Sequence, residues 1–178
     1  MSIRAEETAD RSAVFRVNAE AFGQEDEARL VDALRGSSAF IPELSLVAVR
    51  GGEVVGHILF TRISIRSHDA CASALALAPM AVLPACQRLG IGSALVREGL
   101  EQARRLGHTA VIVVGHPDYY PRFGFRDAAG SGIRAPFPVS PGAFMALALS
   151  PGALDGIAGE VEYPPEFGAV DEADPSGS

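Results

Sequence analysis

The residues best suited to chemistry form a glycine-containing turn between two apolar segments. The first apolar segment ends at Pro84, the second has helical spacing, and the turn reads Gln87-Arg88-Leu89-Gly90-Ile91-Gly92-Ser93. Glycine lets a backbone approach a ligand closely, and the first N–H groups of a helix have no partner within it. Together with the positive end of the helix dipole, these groups form an anion site that suits a pyrophosphate, to which Arg88 adds a guanidinium.

Three interpretations of this turn compete on the residues alone. The dinucleotide fingerprint requires a third glycine at the position where Leu95 stands. The nucleoside triphosphate loop requires a lysine, and all 15 basic side chains of this chain are arginine. The third interpretation is an ordinary helix start that happens to contain glycine.

Composition narrows the class of protein. The chain has 178 residues, of which 48% are apolar and 21% charged, and its formal net charge is −7. We expect one globular domain over residues 1–170 and a disordered acidic tail over residues 171–178. The absence of lysine excludes Schiff-base and pyridoxal chemistry, and the acidic balance argues against a nucleic-acid partner.

No segment predicts a membrane span or a metal site. The N-terminus lacks the apolar core of a signal peptide, so a cytoplasmic protein is expected. The uncharged stretch 70–87 contains two prolines and much alanine, so a buried strand is expected there rather than a membrane span. Cys71 and Cys86 are expected to be small buried thiols in a reducing compartment. The four histidines have no metal-ligand spacing: His57, His68, His108 and His116.

Hydrophobic periodicity predicts an α/β fold with helices packed around a mixed sheet. Helices are expected to carry Val14 to Phe22, Leu30 to Leu34, and Ile91 to Leu106. The predicted strands cover residues 2–5, 46–50, 54–65, 74–83, 110–114, 144–149 and 160–163. The glycine pair at positions 51 and 52 predicts a hairpin between the second and third strands.

One strand carries an irregularity in its pattern. Between residues 74 and 83 the larger side chains occupy odd positions first, at Leu75 and Leu77, and then even positions, at Met80 and Val82. A slip of one residue in a period of two predicts a β-bulge near Ala78-Pro79.

Two motifs together resemble those of a known superfamily. Residues 87–92 are similar to the Q/R-x-x-G-x-G/A signature of the GCN5-related N-acetyltransferases, the GNAT superfamily. Residues 120–125, Tyr-Pro-Arg-Phe-Gly-Phe, resemble its Y-x-x-x-G-F element, and the order of elements agrees from about Ser2 to Phe125. The run 115–125 is similar to that of one bacterial group of predicted acetyltransferases.

The resemblance implies acetyl-CoA as cosubstrate and no metal. In the GNAT fold, two central parallel strands splay apart, and backbone near Ala81 and Val82 would pair with the pantetheine arm. The pyrophosphate would be held by the turn and the helix start: Gln87, Arg88, Leu89, Gly90, Ile91, Gly92 and Ser93. Many members have glycine at the position of Arg88, so this arginine must adopt an ordinary backbone angle or a costly one.

The resemblance also implies the roles of the aromatic residues. Tyr120 would be the general acid that protonates the CoA sulfur, since a phenol with a pKa near 10 is protonated at neutral pH. A packed aromatic residue with no chemical role is the alternative for Tyr120. Tyr119 is expected to be structural, and Phe123 is expected to pack near the cofactor arm.

The general base and the acceptor are not identified by the residues. The predicted fourth strand has no carboxylate between Asp69 and Arg88, where many members carry a glutamate. The candidates that remain are a water chain or one of five side chains: Glu25, Asp26, Glu27, His57 and His116. The function implied is acetyl transfer to an amine acceptor, with a homodimer left open. The rival is a non-catalytic acyl-CoA-binding or regulatory module on the same fold.

Overall fold

The computed structural model describes residues 1–170, so the predicted tail at 171–178 lies outside the described residues. Within residues 1–170 the chain forms three α-helices and one nine-stranded mixed sheet. The helices are α1 (Arg11–Phe22), α2 (Asp26–Arg35) and α3 (Ile91–Arg105). The strands are β1 (Ser2–Ala5), β2 (Phe40–Arg50), β3 (Glu53–Arg66), β4 (Cys71–Val82), β5 (Ala110–Val114), β6 (Arg126–Asp127), β7 (Ile133–Arg134), β8 (Phe144–Ala148) and β9 (Gly159–Glu162).

The order of strands in the sheet is β1-β2-β3-β4-β5-β8-β6. Neighbours on this path are antiparallel except β4 and β5, which are parallel and are joined through α3. A parallel pair requires such a crossover, because the chain must return to the same end of the sheet. Strand β9 pairs with the far end of β3 and, in parallel, with β7. This topology confirms the predicted mixed α/β fold.

The helices cover opposite faces of the sheet. Helix α3 buries Leu95, Val96 and Leu100 in a core cluster that also contains Tyr120 and Phe125. Helices α1 and α2 bury their apolar side chains on the other face, in a cluster with residues of β2, β3 and β4.

Helix α3 approaches the sheet so closely that one position excludes a side chain. A Cβ atom on Gly99 would collide with the Phe60 ring. This close approach fixes the height of α3 above the sheet, and therefore the position of its N-terminal turn.

The predicted bulge in β4 is confirmed. Ile58 of β3 lies opposite Met80, whereas Phe60 lies opposite Leu77, so Ala78 and Pro79 together oppose one residue of β3. Two residues opposite one define a β-bulge. The bulge lies in the middle of β4, just where its pairing with β5 stops.

Several boundaries and one burial prediction are wrong. Strand β2 begins at Phe40 rather than at residue 46, and the two-residue strands β6 and β7 were not predicted, since such short pieces have no period. Both cysteines are free, but Cys71 is exposed and Cys86 is only half-buried, so neither is a fully buried thiol. Over residues 1–170, every helix is too short or too polar to cross a lipid bilayer.

Candidate active site

A gap opens between the two central parallel strands. The last matched pair of β4 and β5 is Leu77 with Val113, and β4 then continues from Ala78 to Val82 without a partner on that side within residues 1–170. The backbone of this part of β4 is held from its other side by β3. One edge of a buried strand is therefore open to a ligand.

The register shows which backbone groups face the gap. Leu83 N donates to Val55 O at 2.9 Å, so the Leu83 N–H points toward β3. Because the direction of N–H groups alternates along an antiparallel strand, the Val82 N–H points away from β3 and into the gap. Ala81, matched with His57, directs its backbone toward β3 and presents a small, buried side chain.

The turn after β4 contains a strained residue. Arg88 has a φ of 64°, the one positive value for a non-glycine residue in the described part of the chain. The left-handed conformation costs an L-residue about 1 kcal/mol or more. Of the two alternatives for Arg88, an ordinary backbone angle or a costly one, the structure has the costly one.

The Gln87 side chain braces the same turn. Its Nε2 donates to Val82 O at 3.1 Å and so ties the turn to the end of β4. No role was predicted for the Gln87 side chain. This contact depends on the fold of the turn, so the residue type alone did not reveal it.

The N-terminus of α3 has free donors. Its N-cap residue is Gly90, with a φ of 81°, and no side chain caps the helix. The first backbone bond of the helix runs from Ala94 N to Gly90 O at 3.0 Å, so the N–H groups of Ile91, Gly92 and Ser93 have no partner within the helix. These three groups and the helix dipole form an anion site next to the gap.

Tyr119 reaches this helix terminus from the segment that follows β5. Its hydroxyl is hydrogen-bonded to Ser93 Oγ at 3.0 Å, and a Cβ atom on Gly92 would lie 3.5 Å from the same hydroxyl. From the sequence, Tyr119 is expected to be structural, and no contact with the turn is predicted. The residues are 26 apart in the chain, so periodicity did not reveal the contact.

Tyr120 lies beneath Tyr119 and is nearly buried. It is 4% exposed and packs edge-on against the rings of Tyr119 and Phe125, with centroids 5.1 and 5.7 Å away. A Cβ atom on Gly115 would collide with its ring. Burial and, to a smaller extent, Tyr119 raise the pKa of Tyr120 above its ordinary value. Its phenol therefore remains protonated well above neutral pH.

Phe123 completes the aromatic cluster at this end of the gap. It is half-buried, and its ring centroid lies 5.3 Å from that of Tyr119. The Arg97 guanidinium of α3 lies 5.3 Å above the Phe123 ring. The cluster joins α3 to the segment that carries both tyrosines.

Comparison with known proteins identifies the family. A family model described as an acetyltransferase (GNAT) domain matches residues 2–128. The chain belongs to the GNAT acetyltransferase family. The enzyme class is therefore that of the acyltransferases that use acetyl-CoA, as the sequence predicted.

Individual relatives support the same assignment. The uncharacterized N-acetyltransferase YjhQ of Escherichia coli (strain K12) is 43% identical over 131 residues, which are 73% of this chain and 72% of that protein. The crystal structure of the E. coli GNAT protein YhbS in complex with CoA has a TM-score of 0.87 at 32% identity, covering 94% of this chain and 91% of that one. A GNAT acetyltransferase from Brucella melitensis in complex with acetyl-CoA has a TM-score of 0.76 at 35% identity, covering 93% and 97%.

The candidate bases of this GNAT protein differ sharply in environment. Glu25, Asp26 and His116 are exposed. Glu27 is 7% exposed and accepts a hydrogen bond from Gln24 Nε2 at 3.0 Å. None of the contacts of these four residues singles out one of them as the base.

His57 is fully buried, and both of its ring nitrogens are occupied. Asn18 Nδ2 donates to Val14 O at 3.0 Å and to His57 Nδ1 at 3.1 Å. An amide nitrogen only donates, so Nδ1 accepts, and the proton of the neutral ring resides on Nε2, 3.0 Å from Ser45 Oγ. Burial lowers the pKa of His57 to about 4, with an upward contribution from Glu6 and a downward one from Arg35. His57 is therefore a neutral link between α1 and β2 that offers no free nitrogen to a substrate.

Residues 1–170 contain no group of three His, Cys, Asp or Glu side chains arranged to hold a metal ion.

Proposed function

We propose that this GNAT protein transfers the acetyl group of acetyl-CoA to an amine acceptor by direct attack. The observation that carries the proposal is the open edge of β4 together with the free donors at the start of α3, the next helix along the chain. A single extended ligand with an amide-containing arm and a pyrophosphate fits both features. The CoA complex of YhbS and the acetyl-CoA complex of the Brucella protein support this interpretation.

We propose that the cosubstrate is held mainly by backbone groups. Its pantetheine arm pairs with the outward backbone of β4 at Val82, beside the small side chain of Ala81, and packs near Phe123. The pyrophosphate accepts hydrogen bonds from the N–H groups of the turn and the helix start, at Gln87, Arg88, Leu89, Gly90, Ile91, Gly92 and Ser93. Such donors are fixed by the fold and need no lysine.

We propose a single displacement with Tyr120 as the general acid. The amine nitrogen attacks the thioester carbonyl carbon, and the charge that develops on the carbonyl oxygen is stabilised by an outward backbone N–H of the open edge of β4, near Val82. As the C–S bond breaks, the Tyr120 phenol gives its proton to the sulfur. The proton lost by the amine passes to water, and a proton from water then restores the phenol. A phenol is protonated at neutral pH even at its ordinary pKa, and burial, which raises the pKa of Tyr120, keeps it in the form that can donate.

Release of free CoA thiol in the presence of a panel of amines tests the function. We expect thiol release that depends on both acetyl-CoA and at least one amine class, with the acetylated amine found by mass spectrometry in equal amount. Binding of acetyl-CoA without turnover across small amines, polyamines and peptide N-termini would instead favour the non-catalytic acyl-CoA-binding module.

A further inference from the structure

An exposed arginine is held in a fixed position beside the anion site. Arg122 Nε donates to Tyr119 O at 2.9 Å, and its guanidinium lies 4.5 Å above the Tyr119 ring. The salt bridges within the described part of the chain do not include Arg122. A stacked guanidinium with unused N–H groups is suited to bind a phosphate through two parallel hydrogen bonds.

Tyr119 fixes the distance between this arginine and the anion site. The hydroxyl of Tyr119 is bonded to Ser93 in the first turn of α3, 3.0 Å away, while its ring carries the Arg122 guanidinium. Only the width of one tyrosine side chain therefore separates the guanidinium from the helix start. The Tyr119 ring also packs on Tyr120 and Phe123, which limits its movement.

The chemistry of CoA offers a second anion at a matching separation. Its 3′-phosphate is a phosphomonoester with a charge of about −1.5 to −2 at neutral pH, and one ribose separates it from the pyrophosphate. A pyrophosphate at the α3 terminus leaves the 3′-phosphate within reach of a cation a short distance away. We propose that Arg122 binds the 3′-phosphate and makes the protein select CoA over 3′-dephospho-CoA. This inference rests on the proposed function, since it takes CoA as the ligand.

Two other arginines near the site provide comparisons. Arg88 lies in the turn itself, where it adds charge beside the pyrophosphate donors. Arg97 lies on α3, with its guanidinium against Phe123 rather than Tyr119. Arg126 on β6 is also exposed, and its strand pairs with β8 rather than with β4 or β5, so it is the matched control of the same residue type.

Calorimetric titration of the full chain with CoA and with 3′-dephospho-CoA tests the assignment. We expect the unaltered protein to bind CoA about tenfold more tightly, as one charge-assisted pair provides. Arg122→Gln should weaken CoA binding about tenfold, leave 3′-dephospho-CoA binding unchanged, and so abolish the preference. Tyr119→Phe, which frees the stacked pair from Ser93, should reduce the preference in part, and Arg126→Gln should keep it. Thermal unfolding of each variant shows whether the fold is intact.

Three results would overturn the assignment. Equal affinities of the unaltered protein for the two ligands would show that the 3′-phosphate is not recognised. If Arg122→Gln lowered the affinity for both ligands equally, Arg122 would be assigned to the pyrophosphate instead. If Arg97→Gln abolished the preference for CoA and Arg122→Gln did not, the 3′-phosphate would be assigned to Arg97. Failure of the unaltered protein to bind either ligand would count against the proposed function itself, and is thus distinguishable from the other three results.

Discussion

The buried His57 makes the stability of this protein depend on pH in a defined window. In the folded protein the pKa of His57 is about 4, whereas the ordinary value is 6.5. As the pH falls below 6.5 the unfolded chain binds a proton at this position first, so the folded state loses stability between pH 6.5 and pH 4. Above pH 6.5 the ring is neutral in both states and its contribution is constant.

The size of the effect follows from the difference between the two pKa values. Each pKa unit corresponds to about 1.4 kcal/mol, so the full window removes about 3 kcal/mol of unfolding free energy. Burial is the main reason why the ring resists protonation, and the contact of Nδ1 acts in the same direction. A proton on Nδ1 would face the Asn18 amide, which is itself a donor to this atom. Glu6 counteracts the shift, but Arg35 lies beside Glu6 and opposes it.

Urea unfolding at a series of pH values from 7.5 to 4.5 measures this loss. His57→Gln should be less stable than the unaltered protein at pH 7.5 but should have a flatter pH profile in the window. The exposed residue His116 provides the control, since His116→Gln should retain the full slope. The pKa of His108 is lowered by burial and by Arg62, so His108 also contributes to the loss of stability at low pH. Because His108 is present in both the unaltered protein and His57→Gln, the difference between their pH profiles does not contain its contribution. Parallel pH profiles for His57→Gln and the unaltered protein would refute the reasoning.

Three further substitutions test other parts of the structure. Tyr120→Phe should lower the rate of thiol release about 100-fold or more with CoA binding retained, while Tyr120→Phe with an unchanged rate and pH profile would remove the general-acid role. Arg88→Gly should remove the strain of the left-handed backbone and stabilise the fold by about 0.5 kcal/mol. The same change should weaken CoA binding, most strongly at low salt. A variant that is less stable in urea unfolding would contradict the strain inferred from the φ of 64°. Gly99→Ala should destabilise the protein by about 1–3 kcal/mol through the collision with Phe60, although alanine favours a helix by about 1 kcal/mol. Gly130→Ala, where a Cβ meets no atom within 4 Å, is the matched control in the same urea assay.

The features that were predictable from the sequence depend on neighbouring residues. The one-residue slip around Pro79 predicted the bulge, because side-chain direction alternates along a strand. Gly90 and Gly92, spaced before a helical pattern, predicted the open turn at α3, and the short apolar run of β5 was predicted with its observed bounds.

The features that sequence reasoning missed depend on contacts between distant segments. Tyr119 meets Ser93 only because α3 and the segment after β5 meet at one end of the gap. The burial of His57 depends on α1 lying over β3, and the exposure of Cys71 depends on its place at the start of β4. Periodicity within one element contains no information about such neighbours.

The open edge of β4 also affects the stability of the folded protein. Backbone groups in the gap have no partner within residues 1–170, and unpaired backbone groups cost free energy. A pantetheine arm in the gap would supply the missing strand and cover those groups. A ligand that binds only the folded state stabilises it by mass action, by about 2.7 kcal/mol at 100 times the dissociation constant. The supply of cosubstrate would then raise the stability of the folded protein as well as its turnover.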